Sequence, residues 1–236
     1  YRILKKDCLD LPDKVYVKRY VELTDEQKNA YAQMKENALA TLNGSSATAF
    51  NVLTQLIRLH QITCGHMATD SHDIIDIKSN RLDELVQILG ENSGKVIIWA
   101  NYIYDINQIK KAIEKEFGED SYCTYYGATL AKDRQKCIND FQDPNSPVRF
   151  FIGNTQTGGY GITLTAASTV IYYSNNYDLE KRIQSEDRAH RIGQMNKVLY
   201  IDLVAKGTVD VKIIRSLRNK VNIAKEISGE ELITWI

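Results

Sequence analysis

Short apolar runs and amphipathic stretches take turns along this chain. Residues 95–100 read KVIIWA, a nearly unbroken apolar run of the kind that forms a strand covered on both faces. Similar runs at residues 121–125, 148–152, 169–173 and 198–204 predict further strands. Helical periodicity falls between them, at residues 81–89, 104–117, 132–141, 179–191 and 209–227. Gly118 is positioned to stop one helix, and Asp143 to Pro147 form a turn. Strand and helix in this order predict an α/β fold: a parallel sheet with helices on both faces. Ligands in such sheets bind at loops beyond the carboxyl ends of the strands. The N-terminal part reads differently. Residues 15–23 alternate as a strand, and Thr24 with Gln27 three residues on makes a capping box. A helix should run from there to about residue 42, with a turn at 43–46. A second helix is expected over 49–63, with Phe50, Leu53, Leu56, Ile57 and Leu59 on its apolar side, and a loop over 64–77.

Composition narrows the function classes. The chain has 236 residues, is 43% hydrophobic and 25% charged, and carries a formal net charge of zero. Any nucleic-acid role must then rest on a local basic surface. No apolar run is long enough to span a bilayer, and residues 1–10 lack the pattern of a signal peptide. The cysteines Cys8, Cys64, Cys123 and Cys137 show no paired spacing, which points to a reducing compartment. A chain that opens on Tyr1 is expected to be a piece of a longer protein. Its many Ile, Lys, Asn and Tyr residues favour a bacterial or phage source and a cytoplasmic setting, or a nuclear one in a eukaryote.

Two segments carry candidate chemistry. Residues 184–194 read QSEDRAHRIGQ, with Arg188 and Arg191 three apart. Arginine keeps its charge and presents a planar fork that fits phosphate oxygens, and on a helix this spacing puts both forks on one face. The plain alternative is a pair of surface partners for Glu186 and Asp187. After the strand at 148–152 comes GNTQTGGYGITLTAA, where Gly153, Gly158, Gly159 and Gly161 crowd together with Thr155 and Thr157. Such a loop can bring backbone N–H groups to a phosphate, or can simply be a tight connection.

Taken together, IRLHQITCGH, KVIIWANY, YYGATLAKDRQKCINDF, NTQTGGYGITLTAASTVIYY and QSEDRAHRIGQ resemble, in this order, the C-terminal motor lobe of Swi/Snf-type superfamily II helicases. LPDKVYV and TDEQKNAY extend the likeness over nearly the whole chain. The resemblance implies a RecA-like lobe over 78–236, preceded over 1–77 by a lobe-connecting strand and a small helical protrusion. It implies that Arg188 and Arg191 act as arginine fingers, with Gly159, Gly161 and Gln184 on the nucleotide side. Tyr102, Gly127, Thr129, Arg134, Asn154 and Thr155 would face the backbone of double-stranded DNA. The chain has no GxxxxGK[ST] loop and no DEAH-like tetrad. ATP and Mg²⁺ would therefore be held mainly by an N-terminal motor lobe of the same parent protein, and this chain alone would be inactive. It departs from the family at Thr163, where asparagine is usual, at Gln156, a frequent lysine, and over SNNYDL at 174–179. Asp178 opens its helix without the family's proline. Rival readings are a non-catalytic nucleic-acid-binding or scaffold module that keeps the fold, and a motor subunit of a nuclease.

Other residues take plainer roles. His60, Cys64, His66 and His72 are of metal-binding type but lack paired spacing, so no metal is expected. Trp99 should be core, and Lys110, Lys111 and Lys115 a solvated helix face. His190 is read as a packing or hydrogen-bonding residue.

Overall fold

The computed structural model describes residues 11–42, 44–49, 51–158 and 161–219. Its main sheet has six strands: β1 (Lys14–Val21), β6 (Lys95–Trp99), β7 (Tyr122–Tyr125), β8 (Phe150–Gly153), β9 (Ala167–Tyr172) and β10 (Val198–Ala205). They lie in the order β1-β10-β9-β6-β8-β7. The pairings from β10 through β7 are parallel. Trp99 is in register with Gly153 and Tyr172, and Gly153 with Tyr125, so several strands end at one level. The predicted strands therefore stand within a residue or two of their expected bounds.

Packing divides the described residues into two compact units. One comprises 11–18, 85–176 and 180–202; the other comprises 19–84, 177–179 and 203–219. In the first, adjacent residues of β8 point to opposite faces of the sheet. Phe150 packs against Phe117 of helix α4 (Ile103–Phe117), and Phe151 against Phe141 of α5 (Ala131–Gln142). A buried strand with an aromatic contact on each face places helices on both sides, as the apolar runs required. Trp99 is fully buried in this core with Tyr125, Leu164, Tyr172 and Ala189.

The second unit holds α1 (Asp25–Asn37), α2 (Val52–Cys64) and α8 (Val209–Arg218). The capping box forms: the Thr24 side chain accepts from the Gln27 amide, and the Gln27 side chain accepts from the Thr24 amide. The helix it opens stops at Asn37, five residues short of expectation. Ala38 turns left-handed at φ 51, and residues onward form a hairpin of β2 (Leu39–Leu42) and β3 (Ser45–Thr48). The apolar run at 38–42 fits either period; what decides is that the hairpin buries Ala40 and Ala47 completely. The expected loop at 64–77 is also a hairpin, β4 (His66–Ala68) with β5 (Ile74–Asp76). Its polar tip concealed strands of only three residues. Gly65 launches it at φ +96, where a Cβ would lie 2.8 Å from that of Ser79. The expected helix at 209–227 is observed to Arg218, and its remainder lies outside the described residues, as do Cys8, Asn43 and Phe50.

Two buried histidines give this unit a pH signature. Burial lowers the His60 pKa to about 4, against the opposing pull of Asp210, whose carboxylate is 3.8 Å away. Burial lowers that of His66 to about 3. Both rings fold neutral, while in the unfolded chain they take up protons near pH 6.5. Stability is therefore complete above about pH 6.5 and falls as the pH drops toward 4, because the unfolded state binds protons first. Urea midpoints measured between pH 7.5 and 4.5 should decline over that window. Replacing either histidine by glutamine should flatten the slope.

Candidate functional site

The arginine pair sits beside the glycine-rich loop, but not by the route that spacing implied. Helix α7 spans Leu179–Ala189 and ends before Arg191. Arg191 therefore lies in the turn that follows, which Gly193 completes with φ +97. The two guanidiniums converge because they share an acceptor. Arg188 donates from Nη1 to the Ile162 carbonyl at 3.2 Å and from Nε to the Gln184 carbonyl at 2.9 Å. Arg191 donates from Nη1 to the same Ile162 carbonyl at 3.5 Å. Among the described residues no carboxylate forms a salt bridge with either. Burial and the charge of Arg191 lower the pKa of Arg188, though not enough to discharge a guanidinium.

Gln194 fixes this geometry, and residue types alone gave no sign of it. It is 4% exposed. Its Nε2 donates to the carbonyls of Thr165, Ala167 and Ala189 at 3.1, 2.9 and 3.2 Å, and its Oε1 accepts from the Asn196 amide. The Leu164 amide adds a bond to the Arg188 carbonyl at 2.9 Å. Loop 162–167 is thereby pinned to the end of α7. Gln184 is half-buried on the same helix; its amide donates to Glu180, while its Oε1 is buried and unpartnered. Gly161 is exposed at φ +71, and Gly159 lies outside the described residues. His190 does hydrogen-bond, through Nε2 to the Pro12 carbonyl at 2.7 Å.

A further arginine, overlooked in the motif, anchors the helix. Arg182 is buried and bonds Glu186 at 2.9 Å and both Asn175 and Asp202 at 2.5 Å, with its guanidinium 3.4 Å from the Tyr172 ring centroid. Glu186 also accepts from Lys14 and Tyr16. Glu186 is thus engaged by Arg182, not by the candidate fingers.

The remaining candidates gather at the carboxyl ends of the strands. Asn154 donates to the carbonyls of Ala100 and Asn101 at 3.2 and 2.8 Å, and its Oδ1 accepts from the Gln156 amide. The Asn101 amide donates to Ser174, whose hydroxyl donates to Asp105. One network thus joins the loops after β6, β8 and β9. Thr155 starts the single turn α6 (Thr155–Gly158), with its hydroxyl buried and unpartnered. Tyr102 is half-buried at the opening of α4. Gly153 ends β8 where a Cβ would lie 2.7 Å from the Trp99 ring and 3.0 Å from the Tyr125 carbonyl. Only glycine fits there.

Arg134 braces the neighbouring loop. Its Nε donates to the Thr129 carbonyl at 3.0 Å, and its Nη2 to the Tyr126 and Gly127 carbonyls, each at 3.2 Å. The Thr129 hydroxyl accepts from the Tyr126 amide and reaches the Thr124 carbonyl. Gly127 is exposed at the tip. Cys123 on β7 and Cys137 on α5 are joined as a disulfide, with Cα atoms 5.4 Å apart. This corrects the expectation of unpaired cysteines: the fold, not a short spacing, brings them together. Among the described residues no group of three or more His, Cys, Asp and Glu could hold a metal ion, and no helix is long and apolar enough to cross a membrane.

Residues 78–193 match the helicase conserved C-terminal domain, a stretch that runs from before β6 to the turn after Arg191. Solved structures agree in fold: the C-terminal domain of a Sulfolobus solfataricus SWI2/SNF2 ATPase is 25% identical with a TM-score of 0.64, covering 95% of this chain and 98% of that one. The chain is a helicase C-terminal lobe of the Swi/Snf type. The ATPase core of the same archaeon in complex with dsDNA is similar at 27% identity and a TM-score of 0.69, over 98% of this chain and 52% of that one. Among curated proteins, a putative ATP-dependent helicase/translocase of Bacillus subtilis, YwqA, is 30% identical over 97% of this chain. The ISWI chromatin-remodeling complex ATPase ISW1 of Saccharomyces cerevisiae is 29% identical over 86% of it. This Swi/Snf-type lobe spans only 25% and 19% of those two proteins.

Proposed function

We propose that this lobe is the second half of an ATP-dependent translocase acting on double-stranded DNA. Arg188 and Arg191 are its arginine fingers, directed at the phosphates of a nucleotide bound by an N-terminal motor lobe of the same parent protein. The observation that carries the reading is the convergence of two guanidiniums on the Ile162 carbonyl, with no salt bridge to a carboxylate among the described residues. Cations so placed can neutralise charge on a transferring phosphoryl group. Gln184, Gly159 and Gly161 belong to the same nucleotide side, and the unpartnered Gln184 Oε1 fits a group that a ligand would complete. ATP brings the phosphoryl group. Mg²⁺ would be held by its phosphates and the other lobe, since no group of three or more His, Cys, Asp and Glu among the described residues could hold a metal ion.

Tyr102, Gly127, Thr129, Arg134, Asn154 and Thr155 form the DNA side. Asn154, Thr129 and Arg134 act by shaping loops, which leaves Tyr102, the exposed Gly127 tip and Thr155 as the residues facing the backbone. Contacts of this kind carry no base preference. The setting is the cytoplasm of a bacterium or phage host, or the nucleus of a eukaryote. Assayed alone with saturating double-stranded DNA, the chain should hydrolyse ATP no faster than buffer. A robust DNA-stimulated rate would sink the two-lobe reading.

A further inference from the structure

We propose that Cys123 and Cys137 form a reversible thiol–disulfide staple that sets the rigidity of the Gly127–Arg134 loop. The two cysteines are 14 positions apart, and the ring they close contains Gly127, Thr129 and Arg134. Cys123 lies on β7, the edge strand of the sheet, and Cys137 on α5, the helix that carries Arg134. The bond therefore ties together the two elements from which the loop hangs. Its other ties include the hydrogen bonds of Arg134 and of the Thr129 hydroxyl and amide, which reach the backbone of residues 124–129, and the Arg134 guanidinium lying 5.6 Å from the Tyr125 ring centroid. Cys137 itself belongs to the buried core, but Phe141 still seats α5 against Phe151 when the bond opens. The loop is therefore the part that relaxes most.

The pair is reachable. Both cysteines line an open cavity of about 660 Å³ with Tyr122, Tyr126, Lys136 and Pro147, and Cys123 is only half-buried. Cys64, by contrast, is a buried free thiol. An incoming dithiol can attack as its thiolate at one sulfur, breaking the Cys123–Cys137 bond and forming a mixed disulfide. Its second thiol then closes on the first, and both cysteines leave as protonated thiols. One disulfide is reduced, one dithiol is oxidised, and two protons pass to the protein. A disulfide that meets a reducing compartment is, as a rule, a transient, redox-responsive one.

The experiment compares the folded chain before and after treatment with dithiothreitol. Without reductant, the peptides bearing Cys123 and Cys137 should resist alkylation in denaturant; after it, both should label. Hydrogen exchange at residues 126–130 should quicken by roughly tenfold, with the β6 and β9 amides unchanged. Cys123→Ser and Cys137→Ser should each match the reduced protein and no longer respond to the reagent. Labelling of both cysteines in unreduced protein, or exchange indifferent to reduction, would overturn the staple. Its bearing on DNA rests on the reading of this loop as a backbone contact. In that reading reduction lowers affinity for a 20-base-pair duplex a few-fold. Quickened exchange with unchanged affinity would remove the loop from the DNA side and leave the staple standing.

Discussion

Replacing Arg191 by alanine in the full-length parent protein is expected to lower ATP turnover by about 10³-fold or more, the range seen when an arginine finger is lost. Affinity for double-stranded DNA should stay within about twofold of the unchanged protein. Arg191 suits this test better than Arg188. Its guanidinium makes one long hydrogen bond, 3.5 Å to the Ile162 carbonyl, so truncation leaves little unsatisfied. Arg188 also bonds the Gln184 carbonyl within its own helix and is half-buried, so its removal would confound chemistry with folding. Steady-state hydrolysis with saturating DNA, together with a duplex-binding titration, makes the check. Hydrolysis that survives Arg191→Ala would favour a scaffold that merely keeps the motor fold. A joint loss of hydrolysis and DNA binding would mean that the residue holds structure.

The largest effect on stability is expected at Asp210. Its carboxylate is 4% exposed and pairs with the fully buried Arg81. It also accepts from the Thr63 hydroxyl and the Ala205 amide, each at 3.0 Å. Arg81 in turn donates to the carbonyls of Thr63 and Leu203. Asp210→Ala strips several donors of their acceptor and removes the carboxylate that faces the buried Arg81 guanidinium, a change that costs about 3–5 kcal/mol. Urea denaturation should show the midpoint falling with little change of slope. The pair is not worth that much in itself. The double change Arg81→Met with Asp210→Leu should recover most of the loss, because filling such a site with apolar groups avoids the desolvation of both charges.

Much of the lobe is legible in residue order. KVIIWA, RFFIG and the run before Tyr172 could only be covered strands, since each is too apolar for a solvent face and too short for a helix. Thr24 and Gln27 announced their helix through two specific hydrogen bonds. The end of that helix was not legible, because Leu39 to Leu42 suits both periods and the partner strand that decides lies further on. At the candidate site, the residue types of the arginine pair could be read, but not its geometry. Gln194 owes its importance to carbonyls 5 to 29 positions away, and Arg182 to Asp202, 20 positions away, as well as to Glu186 one helical turn on; no local pattern records the distant partners. The Cys123–Cys137 bond was hidden for the same reason: it is a product of β7 lying against α5.

The shared Ile162 carbonyl separates the two arginines by mobility. Arg188 is tethered at two points, and Arg191 rests on one weak contact. An approaching phosphate need displace only that contact to capture Arg191, so reorganisation costs little on one side and more on the other. Under the proposed function the pair would work as a fixed post and a swinging latch. The latch would answer to the nucleotide, while the post keeps the loop from following it.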